Sequence, residues 1–583
     1  MSITWAKVII KCEIFKLIWF FYTLFVSLQA MRYLLTVIMA IVGTAVYAQL
    51  RINGRPALYD SETNMMLVTI PQSDFGTSKR YNIELDEGWS NLKINGTAVS
   101  SSYYFSSISG GKTYPMTIRN KDQYVITSNI TFTFLPILHL SGDFGYDYQE
   151  GRVSLYMPDE ENQENLTGQL KWRGGTTNTP DKHKRNYKIK LNEDVQFFGL
   201  RTDNKWILDA GQADLFRVRN RIATELWNDM AHKPYYADKE PDALSGVRGR
   251  MVELFLNKEY RGIYCLTECM DRKEMKLKKV DKNTGEVKGC LWKGEGYGAT
   301  LMFNYPSTYD NNSETWDMFE VKYPELDDAP QTEWGTLWNA INFVAKSSDA
   351  EFRAHIAEYF DIPVLIDYHI FMNVLNVFDN DGKNMYWAVY DKTKNQKMTL
   401  AVWDLDASTG QKWVSRFVPA TSGPWSPDYE KQASMNIYQR LIRLNVDNFN
   451  EKIIKRYHEL RDNVLSTDHL TARYIRYFDE ISLSGAAARE ENLWSEDTDI
   501  NGEELNFESE IYYITYWIAR HMTYLDNHQF KTDDNTPITS VESVCNSYPP
   551  SYSDAVYNIN GQRIKRPVEK GIYIINGKKY VRK

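Results

Sequence analysis

Residues 49 to 142 alternate apolar and polar positions in short runs such as MMLVTI and NITFTFLPIL, broken by Gly, Ser and Asn turns. Period-two alternation over a few residues is what a strand with one buried face produces, so this stretch predicts a small β-sandwich-like domain. Beyond it, from about 150 to 325, YKIKL, WILDA and MVELFLN read as strands, whereas FRVRNRIATELWNDMA carries apolar residues at helical spacing. Helical runs dominate residues 331 to 378 and 427 to 530, with the strands WAVY and MTLAVWDLD between them. The pattern predicts an α+β domain over 143–531, with a mixed, β-rich first part and a mainly helical second part.

The two ends read differently. From Met31, MRYLLTVIMAIVGTAVYAQL has one Arg, an apolar run from Tyr33 to Val42, and Ala48 just before Gln49. That is the layout of a secretory signal peptide, which predicts a leader over 1–48, translation starting at Met31, and a mature chain from Gln49. A second apolar stretch, LIWFFYTLFV, lies upstream; membrane contact is expected only if the leader stays uncleaved. Residues 532–554 read as a polar linker, and 555–583 as hairpin-like runs around NGQR and NGKK.

Charge narrows the field of partners. The formal net charge is -8 with both signs interspersed, so the chain has no basic footprint for a nucleic acid. Aromatic residues make up 14% of the chain, which suits either a β-containing globular protein or one that contacts sugars. After the leader only Cys265, Cys269, Cys290 and Cys545 remain, too few for a disulfide framework and with no histidine completing a zinc site. They read as buried thiols, with one disulfide left open.

Polar residues then raise the question of chemistry. In NVFDNDGKNMYWAVY, Asp379 and Asn384 have the spacing of a catalytic Asp and a metal-binding Asn in a kinase catalytic loop, and Asp381 competes for the same role. The plain alternative is a tight turn, which Asp, Asn and Gly favour for backbone reasons. In WDLDAST, Asp404 and Asp406 are expected on one side of an extended segment, where two carboxylates can hold a hard cation such as Mg²⁺. RGGTT offers Arg173 and the backbone of Gly174 to an anion. In NYKIKL, Tyr187, Ile189 and Leu191 point inward, leaving Lys188 and Lys190 on the outer face, where either reaches a phosphate or simply meets solvent. Glu268 ends GIYCLTE as a partner for that lysine, a cation ligand or a surface acid. Asp214, Arg219 and Asn220 fit a buried network tying helix to strand, since buried charges need partners. GEGYGA has Ala299 where a dinucleotide fingerprint needs its last Gly, and reads as a loop.

Taken in order, KWRGGTT, HKRNYKIKL, DNKWILDAGQADLFRVRN, LFLNKEYRGIYCLTE and the DNDGKN loop followed by AVWDLD resemble the spore-coat protein H (CotH) family of atypical secreted kinases, over roughly residues 140 to 530. The resemblance implies a two-lobed kinase-like domain that uses ATP with Mg²⁺, or Mn²⁺, to phosphorylate Ser, Thr or Tyr hydroxyls of a protein. It implies Asp404 as metal ligand with Asn384 beside it, and a phosphate-binding Lys in NYKIKL. Val377 and Phe378 stand where ordinary kinases carry His and Arg before the catalytic Asp, which argues against the standard kinase fold. The tail GIYIINGKKYVRK resembles the C-terminal sorting domains of secreted Bacteroidetes proteins, implying a secretion machinery as partner and a secreted or cell-surface location. Two other classes stay open: a glycoside hydrolase using Asp379, Asp404 and Asp406, and a non-catalytic surface module that binds glycan or protein.

Overall fold

The structure is a computed structural model that describes residues 50–120, 124–175, 178, 183–296, 308–412, 418–421, 436–495 and 504–532, together with 556–558, 563–564, 571–575 and 578–582. The expected leader, residues 533–554 of the expected linker, Thr176 and Thr177 of RGGTT, and Tyr297 to Ala299 of GEGYGA lie outside the described residues.

The chain divides into two compact units. The first comprises residues up to Val68, Ser78–Ser106 and Thr113–Thr131. Its strands form two antiparallel sheets, of four and six strands. Strand Lys79–Leu85 shows the alternation that the sequence pattern predicts, with Tyr81 and Ile83 buried between exposed neighbours. Strand Met65–Thr69 is instead buried at every position. Phe105 and Tyr114 pack edge to face at 5.0 Å in this core.

A closed seven-stranded barrel opens the second unit: β1 Ile137–Gly142, β2 Gln149–Tyr156, β3 Gln163–Arg173, β4 Asn186–Gln196, β5 Thr202–Asp209, β6 Gly249–Leu256 and β7 Glu259–Thr267. The strand order is β1-β2-β3-β4-β5-β7-β6, and a parallel pairing of β1 with β6 closes it, Ile137 facing Glu253. The boundary expected at 142 therefore moves: β1 belongs to the barrel. Period-two alternation runs on both sides of Pro136 without a polar gap, so the pattern alone does not mark the change. Inside, Tyr187, Ile189 and Leu191 of β4 meet Leu170, Trp206, Leu208 and Leu266, while Lys188 and Lys190 face outward as the alternation requires.

A five-stranded sheet follows, built from β8 Cys290–Gly294, β9 Thr315–Trp316, β10 Phe319–Tyr323, β11 Met385–Val389 and β12 Thr399–Val402 in the order β9-β10-β8-β11-β12. WAVY and MTLAV are its last two strands, paired with Met385 opposite Val402.

Helices fill the rest: α1 Arg219–Met230, α2 Gly335–Lys346, α3 Asp349–Tyr359, α4 Ile362–Leu375, α5 Asn436–Leu444, α6 Phe449–Arg461, α7 Thr467–Leu483, α8 Ala486–Trp494 and α9 Phe507–Tyr524. The central one is α4. Its sequence IPVLIDYHIFMNVL is apolar almost all round, and every residue from Val364 to Leu375 is buried, which suits a helix enclosed by others. Pro363 sits in its first turn, where a missing N–H costs nothing. Asn376 ends it in the left-handed conformation at φ 50°. The unit is thus mixed α+β, β-rich toward its N-terminus and helical toward its C-terminus.

The tail runs form a four-stranded antiparallel sheet, with Ile575 opposite Lys578 on either side of the NG pair. Cys265, Cys269 and Cys290 are buried free thiols. Among the described residues, no helix is long and apolar enough to cross a membrane.

Candidate active site

The loop that leaves α4 and the segment that leaves β12 run side by side. Phe378 N–H donates to Ala407 O at 3.2 Å, and Thr409 N–H donates to Leu375 O at 2.6 Å. Asn380 Nδ2 donates to Trp403 O at 2.6 Å, and Tyr368 Oη donates to Asn380 O at 2.6 Å. Buried backbone carbonyls need such partners, and here each one also fixes the loop. From the sheet, Gly294 O accepts from Asn384 N–H at 2.9 Å.

Within the loop, the Asp379 carboxylate accepts from Lys383 Nζ at 2.8 Å and from Asn384 Nδ2 at 3.0 Å. Asn384 takes φ 58°, a left-handed conformation that Asn tolerates better than most residues. Asp381 is half-buried on the same loop. The Asp379 carboxylate raises both Asp404 and Asp406 by charge repulsion.

The WDLD segment departs from the extended strand expected of it. β12 stops at Val402, and Asp404 turns left-handed at φ 60°, so period-two alternation does not put the two acids on one side. They come close through this turn instead. Burial pushes the Asp406 carboxyl well above the usual range, with Asp404, Asp209, Asp214 and Asp379 adding to it. Burial likewise raises Asp404, helped by Asp209 and Asp379 and opposed by Arg173 and Lys293. Carboxylates thus outnumber cations here, and oxygen donors gathered under mutual repulsion suit a hard divalent ion. Among the described residues, no group of three or more His, Cys, Asp or Glu is arranged to hold a metal. Of the ligands expected from the sequence, Asp404 and Asp406 act on one another electrostatically, and the Asn384 amide nitrogen is committed to Asp379.

Facing this segment is the outer surface of the barrel. Arg173, Asn186, Asp209, Asn220, Trp403 and Asp404 line one cleft, and the Arg173 guanidinium lies 5.0 Å from the centre of the Trp403 ring. Gly174 follows Arg173 at φ 106°, a conformation that only glycine adopts readily. Lys188 stands opposite Ile207, another cleft residue, and burial lowers its ammonium below the ordinary lysine value. Lys190, two residues on, pairs across the sheet with Lys205 and is exposed; neither lysine is among the residues that line the cleft.

Glu268 takes none of the roles open to it in the sequence. It is fully buried, and it accepts from Arg248 Nη2 at 2.7 Å, Arg248 Nε at 3.1 Å and the Arg201 N–H at 2.8 Å. The Arg248 guanidinium and the Arg201 backbone N–H together occupy both of its oxygens. Asp214 and Arg219 do form the buried network expected of them, at 2.6 Å, and Arg219 also meets Glu510 at 2.5 Å. Asn220 also ties the helix to a strand, donating to Asp209 at 2.6 Å, and lines the cleft together with Asp209, which sequence reasoning did not single out. For Asp209 the available signal was its place at the end of a strand, in WILDA.

The fold and site define an α+β protein whose barrel and helices enclose a carboxylate-rich cleft. A family model described as CotH kinase protein matches residues 170–525, from β3 to the end of α9. The chain belongs to the CotH kinase family. No curated protein matches it.

Proposed function

We propose that the chain is a secreted or surface-exposed protein kinase that transfers the γ-phosphate of ATP to a protein hydroxyl in the presence of Mg²⁺, or Mn²⁺. The observation that supports this reading is that Asp379, bonded to Asn384, and Asp406 act electrostatically on Asp404, which lines a cleft together with Arg173, with Lys188 on the strand beside the cleft residue Ile207. In this reading the barrel and five-stranded sheet serve as the nucleotide lobe and the helices as the acceptor lobe.

Asp379 orients the acceptor hydroxyl and takes its proton as the new oxygen–phosphorus bond forms and the bond to ADP breaks. Lys383 and Asn384 hold that carboxylate in place. Arg173 and Lys188 donate to phosphate oxygens, and Asn186 and Asp209 fix the polar floor between them. Asp404, Asp406 and Asn384 would hold the cation, which when bound neutralises charge on the phosphates. The leader and tail readings support export, with the tail addressing a secretion machinery.

Calorimetry of ATP with Mg²⁺ tests the nucleotide side. Asp404→Asn is expected to weaken binding by about tenfold or more while the fold persists. Unchanged affinity in a folded variant, or release of reducing sugar from glycans by the wild type without phosphoryl transfer, contradicts the reading.

A further inference from the structure

Asn220 is the second residue of α1, and both ends of its side-chain amide are in use. Its Nδ2 donates to Asp209 Oδ2 at 2.6 Å, and its Oδ1 accepts from the Leu405 N–H at 3.1 Å. Asp209 closes β5, and its other oxygen accepts from Gly211 N–H at 3.1 Å. Leu405 lies between Asp404 and Asp406, with its side chain wholly buried. One amide therefore spans from a barrel strand, through the start of a helix, to the residue that joins the two cleft acids.

The chemistry of this link demands a carboxamide. Such a group donates to a carboxylate and accepts from an N–H at once. An Asp in its place turns the 2.6 Å contact into a repulsion between two carboxylates, and an Ala removes the bonds to Asp209 Oδ2 and to the Leu405 N–H. The helix has a separate anchor, because Arg219 is held by Asp214 and Glu510.

We propose that Asn220 is the positioning residue of the cleft. It clamps the Leu405 backbone to Asp209 and so sets how Asp404, held at φ 60°, and Asp406 face one another. The inference rests on the reading of these two acids as cation ligands. Both ends of the Asn220 amide are committed within the protein, so it acts through Asp404 and Asp406.

The test uses Mn²⁺ alone as probe, with free ion measured by electron paramagnetic resonance on the mature full-length chain, beside deuterium exchange at the Leu405 amide. Asn220→Asp and Asn220→Ala are each expected to weaken Mn²⁺ binding by about tenfold or more and to speed exchange at Leu405. The double variant Asp209→Asn with Asn220→Asp exchanges donor and acceptor across the same contact, and is expected to bind Mn²⁺ at least about fivefold more tightly than Asn220→Asp alone. Single variants that stay within about twofold of wild type, or a double variant no better than Asn220→Asp, overturn the inference. Should the single variants fail to fold, the double variant decides: folded and binding supports the clamp, unfolded or non-binding overturns it. A wild type without Mn²⁺ affinity removes the cation reading itself, whereas variants that bind like a metal-binding wild type remove only the role of Asn220.

Discussion

Arg219 offers the sharpest test of how the helical part supports the cleft. Its side chain is fully buried and lies between Asp214 and Glu510, each about 1% exposed, at 2.6 and 2.5 Å. Its Nε also donates to Ser408 O at 3.1 Å, just beyond the WDLD segment. Arg219→Met keeps most of the volume but removes the guanidinium that both buried carboxylates meet at 2.6 and 2.5 Å. Breaking a buried pair from one side costs about 3 to 5 kcal/mol, because the remaining charge stays desolvated. Replacing all three groups, with Asp214→Asn and Glu510→Gln added, removes the stranded charges and should recover most of that loss.

The pH dependence gives a second readout. Burial already raises the Asp214 carboxyl above its ordinary value, and Arg219 pulls against that rise. Without Arg219 the folded value of Asp214 lies further above its unfolded one, so the folded chain takes up that proton first and gains stability as pH falls. The gap between Arg219→Met and wild type should therefore narrow from pH 7.5 toward about 5. Urea unfolding followed by circular dichroism at both pH values measures it. A cost below about 1 kcal/mol at pH 7.5, or a gap that stays constant with pH, refutes the reasoning.

Other expectations concern the loop and the core. Asp379→Asn should lower phosphoryl transfer by about 100-fold or more while hardly changing ATP affinity, and Asp381→Asn should leave both nearly intact; loss of activity in Asp381→Asn alone would shift the register by two residues. Asp404→Ala should be less stable than Asp404→Asn by roughly 1 kcal/mol, since Ala tolerates the left-handed conformation at φ 60° poorly, and thermal melts of the two variants check this. His369 is buried, and burial lowers its imidazole to about 4. The unfolded chain then binds a proton that the folded chain refuses, so stability should fall by up to about 3 kcal/mol as pH drops from roughly 6.5 to 4, and His369→Phe should flatten that slope in urea titrations.

Local periodicity carried much of this fold. The inward and outward faces of NYKIKL follow from alternation alone, and α4 announces its burial by being apolar all round. Where two elements of the same period meet, as at Pro136, no boundary signal exists, and the first barrel strand reads as part of the preceding domain. The cleft divides in the same way. Asp379 and Asn384 are five residues apart and their contact is local, so spacing reveals it. Asn220 and Leu405 are 185 residues apart, and only the fold brings them together. Glu268 shows the converse: a strand-end acid looks available until Arg248, twenty residues earlier in the chain, claims it. The WDLD pair was legible as a pair, but its conformation was not, because a left-handed Asp leaves no mark on the hydrophobic pattern.

The central claim is that the cleft acids serve phosphoryl transfer. Incubating the chain from Gln49 to Lys583 with γ-labelled ATP, Mg²⁺ and a protein acceptor, beside the Asp404→Asn variant, addresses it most directly. Label is expected on a hydroxyl side chain with wild type, dependent on the divalent ion and reduced by about 100-fold or more in the variant. Equal labelling by wild type and a folded Asp404→Asn variant, or none by wild type at any Mg²⁺ or Mn²⁺ concentration, would contradict it.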